Sequence, residues 1–279
     1  MIRLFVYLVV LVMSLTTSLA AKTADPQRVV SMNLCTDQLA MLVAGEGQLA
    51  SVSALSQDPV SSAMAESAQA YPVNHGRAEE IHLLEPDLVI AGRFSAGATI
   101  AMLERLGIPV AVFEPATSLD DVRANLLRMG ELLGRTERAQ ALVAAFDQRL
   151  AMLSGVPLDP PRAALYFPNG YTRGADTLVG DIIRTAGFDN IAAGLGITSG
   201  GHLPLEQLVL AEPELVITGS RNRGYSRSQA IMQHPVVDAA ARFGSHRGLL
   251  NRDWVCGTPR VLSAVERIGT LRGELIGIR

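Results

Sequence analysis

Two amphipathic helices follow one another in the middle of the hydrophobic pattern. In residues 118–133, apolar side chains recur every three or four positions, and Ser118 precedes Asp121 by three residues, which is close to a capping box. The same period returns in residues 136–153. Because a helix rises about 1.5 Å per residue, the second helix is about 25 Å long, roughly the width of a small lobe.

Short apolar runs bounded by turn residues flank this helix pair. They are typical of buried strands, and helical patterns alternate with them. The strand candidates are residues 28–32, 52–55, 88–91, 110–113, 162–167 and 215–218. Strands that alternate with helices predict an α/β fold with parallel central sheets.

The stretches on the two sides of the helix pair share a repeated unit. Glu79 lies seven residues before Pro86, and Glu206 lies seven residues before Pro213. Each proline is followed by an acidic residue, then Leu-Val-Ile, one further residue and glycine. We interpret this as an internal duplication, although helix, proline, acid and strand also form a common α/β joint.

The duplication predicts the domain organisation. We expect two Rossmann-like lobes, residues 21–117 and residues 157–279, joined by linking helices in residues 118–156. The longer linking helix would serve as a backbone between the lobes, with a ligand cleft between them.

The first twenty residues have the features of a cleaved signal peptide. Arg3 precedes an uncharged apolar run at residues 4–12, and residues 18–20 fit the small-x-small cleavage rule. The apolar run is shorter than the ~20 residues that span a bilayer, which disfavours the alternative of a membrane anchor. We therefore expect a mature protein in the periplasm or outside the cell.

The overall composition is that of a globular protein. The chain has 279 residues, of which 48% are hydrophobic and 18% charged, and its net charge is −3. This charge gives no indication of nucleic acid or of an anionic membrane surface as a partner.

Candidate binding residues follow the predicted strands. In open parallel sheets, ligands bind beyond the carboxyl ends of the strands, and the loops there suit a concave small-molecule site. The candidates are Asn33, Cys35, Arg93, Phe94, Asn169, Tyr171, Arg221, Tyr225, Trp254 and Cys256. The arginines of these loops, which include Arg173 and Arg223, either hold carboxylates or phosphates of a ligand or are ordinary solvated charges.

These segments, in this order, resemble the class III periplasmic substrate-binding proteins of ABC importers, which carry vitamin B12, ferric siderophores and haem. The resemblance covers residues 28–279 and rests on residues 28–33, 79–92, 133–153, 166–171 and 206–219. It implies two lobes bridged by a long helix, small lobe motions, and a bound chelate rather than an intrinsic cofactor.

The resemblance also assigns a role to the repeated glutamates. The family docks onto arginines of the membrane permease through one surface glutamate per lobe, and Glu79 and Glu206 match those positions. Two carboxylates at duplicated helix starts are also expected to stand on one rim, one per lobe. The alternative is that the helix macrodipole favours acidic residues at helix N-termini.

His75 and His202 each lie four residues before these glutamates. In the B12-binding relative, aromatic residues just before the same glutamates flank the ligand, so both histidines are candidates for ligand contact. Neutral imidazole also binds iron, cobalt and zinc, which makes them candidate metal ligands. The alternative is two ordinary surface histidines. The relative's tryptophans are missing here, where Trp254 is the only tryptophan.

The two cysteines allow three interpretations. In this architecture Cys35 and Cys256 come from different lobes, and both border the cleft. They form a disulfide across the cleft mouth, remain separate thiols at the ligand site, or are unrelated buried residues.

Together these features predict a monomeric solute-binding protein that captures cobalamin, a ferric siderophore or haem and delivers it to an ABC permease and its ATPase. Two alternatives stay open: a binder of a bare transition-metal ion, and an enzyme with Cys35 as nucleophile and a histidine as base. The sequence contains no G-x-S-x-G, H-E-x-x-H or P-loop motif, which disfavours an enzyme.

Overall fold

The computed structural model describes residues 25–155, 157–219, 227–241, 245–250 and 252–277. The signal peptide predicted at residues 1–20 lies outside this part of the chain. Within the described part, none of the helices has both the length and the apolar composition needed to cross a bilayer.

The first lobe is built on five short strands. They are β1 (Val29–Ser31), β2 (Leu49–Ser53), β3 (Val73–Asn74), β4 (Leu88–Gly92) and β5 (Val110–Phe113). All pair in parallel, in the order β3-β2-β1-β4-β5. The helices of this lobe are α1 (Leu34–Val43), α2 (Ala65–Ala68), α3 (Ala78–His82) and α4 (Gly97–Arg105), with a 3₁₀ turn at Ala54–Gln57. The central strands β1 and β4 are buried throughout, as parallel strands covered by helices on both faces are.

Two helices lead out of this lobe, as predicted. They are α5 (Leu119–Leu132) and α6 (Thr136–Leu153). The Ser118 side chain accepts from the backbone N–H of Asp121 at 3.1 Å, and the Asp121 carboxylate accepts from the backbone N–H of Ser118 at 3.0 Å. This confirms the capping box at the start of α5.

The second lobe repeats the parallel arrangement with fewer strands. Its sheet contains β6 (Arg162–Tyr166), β8 (Asp189–Asn190), β10 (Leu215–Gly219) and β11 (Ser245–Leu250), in the order β11-β10-β6-β8, while β7 (Tyr171–Arg173) pairs antiparallel with β9 (Gly200–His202). The helices are α7 (Leu178–Thr185), α8 (Ile191–Gly194), α9 (Leu205–Leu210), α10 (Arg227–Ala230), α11 (Pro235–Ala239) and α12 (Val261–Gly277). Three 3₁₀ turns lie at Pro168–Gly170, Ile231–Gln233 and Arg252–Trp254.

Helix α6 contacts both lobes. Near its start, Arg138 Nε donates to the carbonyl oxygen of Leu42 in the first lobe at 2.6 Å. Near its end, Arg149 Nη2 lies 2.7 Å from Glu266 Oε2 on the last helix of the second lobe. Phe146 on the same helix is buried in a hydrophobic core that continues from one lobe into the other. The long helix therefore bridges the lobes, while the lobe boundaries at residues 117 and 156 stay a prediction.

The repeated sequence unit has a repeated conformation. Glu85 and Glu212, which precede the two prolines, both have positive φ, at 48° and 42°. In each lobe, the acidic residue after the proline accepts a hydrogen bond from the backbone N–H of an arginine at the start of the neighbouring strand. Asp87 accepts from Arg28, before β1, at 3.1 Å, and Glu214 accepts from Arg162, in β6, at 2.6 Å. Each glutamate with positive φ thus ends a helix in the same way and leads into a central strand, β4 or β10.

Several local predictions are wrong. The residue types after the first strand predict that Thr36 or Asp37 caps the first helix, but the Asn33 side chain caps α1 by accepting from the Cys35 N–H at 3.0 Å. The sequence pattern also missed five strands: β3, β7, β8, β9 and β11. Four of them contain only two or three residues, too few for an alternation of apolar and polar positions to be recognised.

Candidate functional site

A cavity of about 680 Å³ lies between the two lobes. Most of its wall comes from segments at the carboxyl ends of strands in both lobes, which is where parallel sheets bind ligands. The first lobe contributes Leu34, Leu55, Val60, Ser61, Pro115, Ala116 and Thr117, and the second contributes Phe167, Arg173, Thr177, Leu178, Val179, Arg252, Trp254 and Val255. We call this cavity the cleft.

A smaller cavity of about 240 Å³ adjoins the cleft. It shares Pro115, Ala116 and Val255 with the cleft, so the two form one depression. Its walls also include four residues predicted from the sequence, namely Asn33, Cys35, Arg93 and Phe94. The depression thus extends from the space between the lobes into the first lobe.

The two cysteines form a disulfide beside the smaller cavity. Cys35 and Cys256 are bonded with Cα atoms 5.0 Å apart, although 221 positions separate them in the sequence. The interpretations that leave them as separate thiols or as unrelated buried residues are therefore wrong. Since both sulfur atoms are bonded, neither is a free thiolate ligand or nucleophile in this form.

The segment of residues 252–257 crosses to the first lobe. Besides the disulfide, Arg252 Nη1 donates to the carbonyl oxygen of Pro59 at 2.7 Å. A side chain at Gly257 would meet Cβ of Ala116 at 2.2 Å, so the backbone of this segment lies directly against the first lobe. These contacts hold Trp254 and Val255 in the wall of the cleft.

Two charged side chains are described in the cleft wall, and both are arginines, Arg173 and Arg252. Neither has an ion pair with another described residue, and the described wall contains no acidic residue. The Arg173 guanidinium carbon lies 5.2 Å from the centre of the Tyr171 ring. Most of the remaining wall is apolar, and the Nε1 of the buried Trp254 indole has no hydrogen-bond partner among the described residues. The cleft therefore combines an apolar body with two positive charges.

Comparison with known proteins identifies the family to which this architecture belongs. The profile of the periplasmic binding protein family matches residues 29–242. The chain belongs to the periplasmic binding protein family. Among curated relatives of this binding protein, the vitamin B12-binding protein of Yersinia pseudotuberculosis is 28% identical over 268 residues, which cover 93% of this chain and 90% of the relative.

A second curated relative matches over a shorter stretch. The cobalamin-binding protein of Halobacterium salinarum is 36% identical over 141 residues, 49% of this chain. The match covers only 38% of that relative's length.

Solved structures share the fold. The periplasmic heme binding protein of Vibrio cholerae has a TM-score of 0.72 at 22% identity, with 88% of this chain and 98% of that chain covered. The periplasmic vitamin B12 binding protein of Vibrio cholerae has a TM-score of 0.63 at 22% identity, covering 90% and 98%. The predicted fold class, two α/β lobes with parallel sheets and a joining helix, is confirmed.

His75 and His202 lie outside both cavity walls. His75 Nδ1 is 3.0 Å from Glu80 Oε1, and its backbone N–H donates to the same carboxylate. Although burial raises the pKa of the Glu80 carboxyl, these hydrogen bonds hold it below its usual value. His202 is exposed at the end of β9, opposite Tyr171. Ligand contact and metal ligation by His75 and His202 stay predictions.

No metal-binding cluster is found in the described part of the chain, where no three His, Cys, Asp or Glu side chains are grouped to hold an ion. The alternative of a bare-metal binder therefore gains no support. The alternative of an enzyme loses its proposed nucleophile, because Cys35 is in the disulfide.

Other predicted residues are dispersed around the depression. Phe94 lines the smaller cavity with 86% of its surface exposed, and Arg93 Nε pairs at 3.7 Å with Glu114. Tyr171 lines neither cavity, and the centre of its ring is 6.5 Å from that of Phe167. Asn169 is exposed in the adjacent 3₁₀ turn, with φ at 59°. Arg221, Arg223 and Tyr225 lie outside the described residues.

Glu79 and Glu206 are both exposed near the starts of α3 and α9. Tyr166 lies fully buried near Glu206, where burial, and then the Glu206 charge, raise the pKa of its phenol. Neither glutamate lines the cavities. They therefore belong to a different surface from the cleft.

Sequence reasoning missed much of the cleft wall. Leu55 and Val60 follow β2, and residues 115–117 follow β5. The rule that ligands bind beyond the carboxyl ends of strands would have found them if it had been applied to every strand of the first lobe. No comparable signal marks residues 177–179, which come from the start of α7.

Proposed function

We propose that this protein is the solute-binding component of an ABC importer, which captures a metal chelate and delivers it to the membrane permease and its ATPase. The cleft of about 680 Å³, with walls from both lobes in a member of the periplasmic binding protein family, carries this proposal. The relatives named for cobalamin and vitamin B12, and the fold neighbours named for heme, support a large chelate as ligand. The predicted signal peptide supports a periplasmic location.

The chemistry of the cleft supports a ligand with an apolar body and anionic groups. Arg173 and Arg252 can each form charge-assisted hydrogen bonds with a carboxylate, and the apolar wall can cover a ring system. A ferric siderophore with carboxylates and haem share these features. Cobalamin is supported by the names of the relatives and not by the charges of the cleft. Substitution of the arginines is therefore expected to weaken binding of an anionic chelate, but not binding of cobalamin.

Docking to the permease is assigned to Glu79 and Glu206. Their exposure and their equivalent positions in the two repeats support this role. A carboxylate on each lobe can pair with an arginine of the partner and so report the spacing of the lobes. The proposed complex is one binding protein on one permease with its ATPase subunits.

Trp254 supplies the test of ligand binding, because it is the only tryptophan of the chain and lines the cleft. We would titrate the mature protein with cobalamin, haem and ferric siderophores that bear carboxylates or hydroxamates, and follow the quenching of Trp254 fluorescence. Native mass spectrometry would give the stoichiometry. We expect one chelate to bind per chain without turnover; binding of none of them contradicts the proposed function.

Substitution of the cleft arginines tests the charge argument separately. We expect Arg173→Gln and Arg252→Gln each to weaken binding of an anionic chelate by about tenfold, since each removes a charge-assisted hydrogen bond. Arg105→Gln is the matched control, because Arg105 is exposed on α4 and lies outside both cavity walls. A chelate that binds both cleft variants as tightly as the wild type keeps the proposed function but contradicts the anionic assignment.

A further inference from the structure

Each of the two repeated units exposes a leucine as well as a glutamate. Leu83 lies four residues after Glu79, and Leu210 lies four residues after Glu206. Each leucine has 81% of its surface exposed. Single exposed apolar residues are ordinary on protein surfaces, but two at equivalent positions of a duplicated unit with equal exposure are not explained by chance scatter.

The exposure of these leucines is a property of the repeated conformation. Between each glutamate and its leucine lies an apolar residue that is fully buried, Ile81 in one repeat and Leu208 in the other. Each unit therefore directs one apolar side chain into its lobe and a second one into solvent. Because residues four apart lie on the same side of a helix, each glutamate and its leucine are neighbours on one surface.

We infer that these two pairs, Glu79 with Leu83 and Glu206 with Leu210, form two equivalent contact patches for a membrane permease of two-fold symmetry. We call them the N-patch and the C-patch. The inference rests on the proposed function and adds an apolar contact to the proposed docking acids. A partner that binds one patch needs a cationic side chain for the glutamate and an adjacent apolar depression for the leucine. To bind both patches, it must present this combination twice.

Symmetry and charge select this partner over other occupants. Two equivalent patches on separate lobes match a dimeric partner, which repeats each of its surfaces. A second copy of this chain that joined patch to patch would place glutamate against glutamate, which is repulsive. An anionic membrane surface would repel the same carboxylates.

The leucines are expected to contribute substantially to affinity. Once the partner covers a patch, the leucine leaves water and also shields the neighbouring ion pair from solvent. Burial of a fully exposed leucine side chain corresponds to roughly a tenfold or larger gain in affinity. Since the patches are equivalent, we expect similar contributions from Leu83 and Leu210.

Site-specific cross-linking in cells identifies the partner. A photoreactive phenylalanine analogue is placed at position 83 or at position 210 of the full chain, and cross-linked peptides are identified by mass spectrometry. We expect the same membrane-spanning ABC permease from both positions. The control is the analogue at Leu158, which is exposed elsewhere and should not cross-link to that permease. A second copy of this chain, a soluble protein, or no product at either position overturns the inference.

Binding to the purified permease–ATPase complex identified in this way tests the energetic claim. We expect Leu83→Ser and Leu210→Ser each to weaken binding roughly tenfold or more, by similar factors. Met152→Ser, at another exposed apolar position, should leave it unchanged. A double Leu→Ser variant that binds as tightly as the wild type overturns the inference.

Chelate binding distinguishes this outcome from failure of the proposed function. The patches lie outside both cavity walls. A bound chelate should therefore quench the Trp254 fluorescence of all three single variants as it does in the wild type. Loss of permease binding with retained chelate binding supports the patches. Absence of chelate binding in the wild type would instead contradict the proposed function.

Discussion

Asp37 is a completely buried acid two residues from the disulfide. Its Oδ2 accepts hydrogen bonds from the backbone N–H and the hydroxyl of Ser53, whereas its Oδ1 has no hydrogen-bond partner in the part of the chain that the structure describes. Burial raises the pKa of the Asp37 carboxyl from 3.8 to about 7, and the hydrogen bonds from Ser53 oppose this shift only in part. The native fold therefore favours the protonated form.

The sign of the pH dependence follows from this shift. Between about pH 4 and pH 7, the unfolded chain has released the Asp37 proton and the folded chain retains it, so stability falls as pH rises. We expect the wild type to lose stability relative to Asp37→Asn between pH 5 and pH 8, by on the order of 3 kcal/mol. Urea unfolding at both pH values measures the difference. Glu46→Gln removes an exposed acid, so its free energy of unfolding should depend on pH as that of the wild type does. The assignment would be contradicted if the pH profiles of the wild type and Asp37→Asn were parallel.

Single residues were predictable where the sequence repeats and unpredictable where contact depends on the fold. The duplication identified Glu79 and Glu206 as an equivalent pair, and both are exposed at equivalent helix starts. Whether Cys35 bonds to Cys256 stays open from the sequence alone, because nothing local in the sequence fixes a contact across 221 positions. The position of His75 outside the cavity walls likewise depends on tertiary geometry.

At the scale of elements, α5 and α6 pack closely at Gly130. A Cβ built on Gly130 would lie 2.4 Å from Cβ of Ala139, so this glycine permits the helices to approach. We expect Gly130→Ala to lower the free energy of unfolding by about 1–3 kcal/mol, because overpacking outweighs the gain in helix propensity.

Gly273 provides the matched control for this prediction. It is an exposed position of α12, where an added Cβ meets no atom within 4 Å. Gly273→Ala should raise the free energy of unfolding by roughly 0.5–1 kcal/mol, because only the propensity and the entropy of the unfolded chain change. Urea denaturation of both variants tests the pair. Stabilisation by both substitutions would show that α5 and α6 can separate without cost.

Element length decided which predictions succeeded. Helix α6 extends over Thr136–Leu153, as its apolar period predicted, since 18 residues display several turns of the pattern. Strands β3 and β8, with two residues each, carry no such pattern and exist only because a neighbouring strand pairs with them. Periodicity therefore predicted the long elements and the fold class, and missed the short strands that complete the sheets.

For the whole molecule, the relation between the lobes is set by more than the long helix. Helix α6 bridges them, and the segment of residues 252–257 returns to the first lobe through the disulfide and the Arg252–Pro59 hydrogen bond. Sequence reasoning identifies α6 as the bridge between the lobes and allows a disulfide across the cleft mouth as one of three interpretations, but it does not predict the hydrogen bond from Arg252. Two connections restrict opening of the cleft more than a single helix does.

The disulfide is expected to maintain both stability and the cleft wall. Leu34 and Val255, the neighbours of Cys35 and Cys256, both line the cleft, so the bond fixes their positions. We expect Cys35→Ser/Cys256→Ser to lower the free energy of unfolding by about 2–5 kcal/mol. The same variant should bind its chelate more weakly, because ligand binding must then also order these walls. Urea denaturation and the Trp254 titration measure the two effects.

Arg149→Gln separates the disulfide's effect from a general loosening of the lobes. This substitution removes the partly exposed ion pair between α6 and Glu266, which contributes less than about 1 kcal/mol, and leaves residues 252–257 in place. Chelate affinity should therefore be unchanged in Arg149→Gln and reduced in the serine variant. Equal affinity in the serine variant and the wild type would mean that packing alone holds the cleft wall, with the disulfide contributing only to stability.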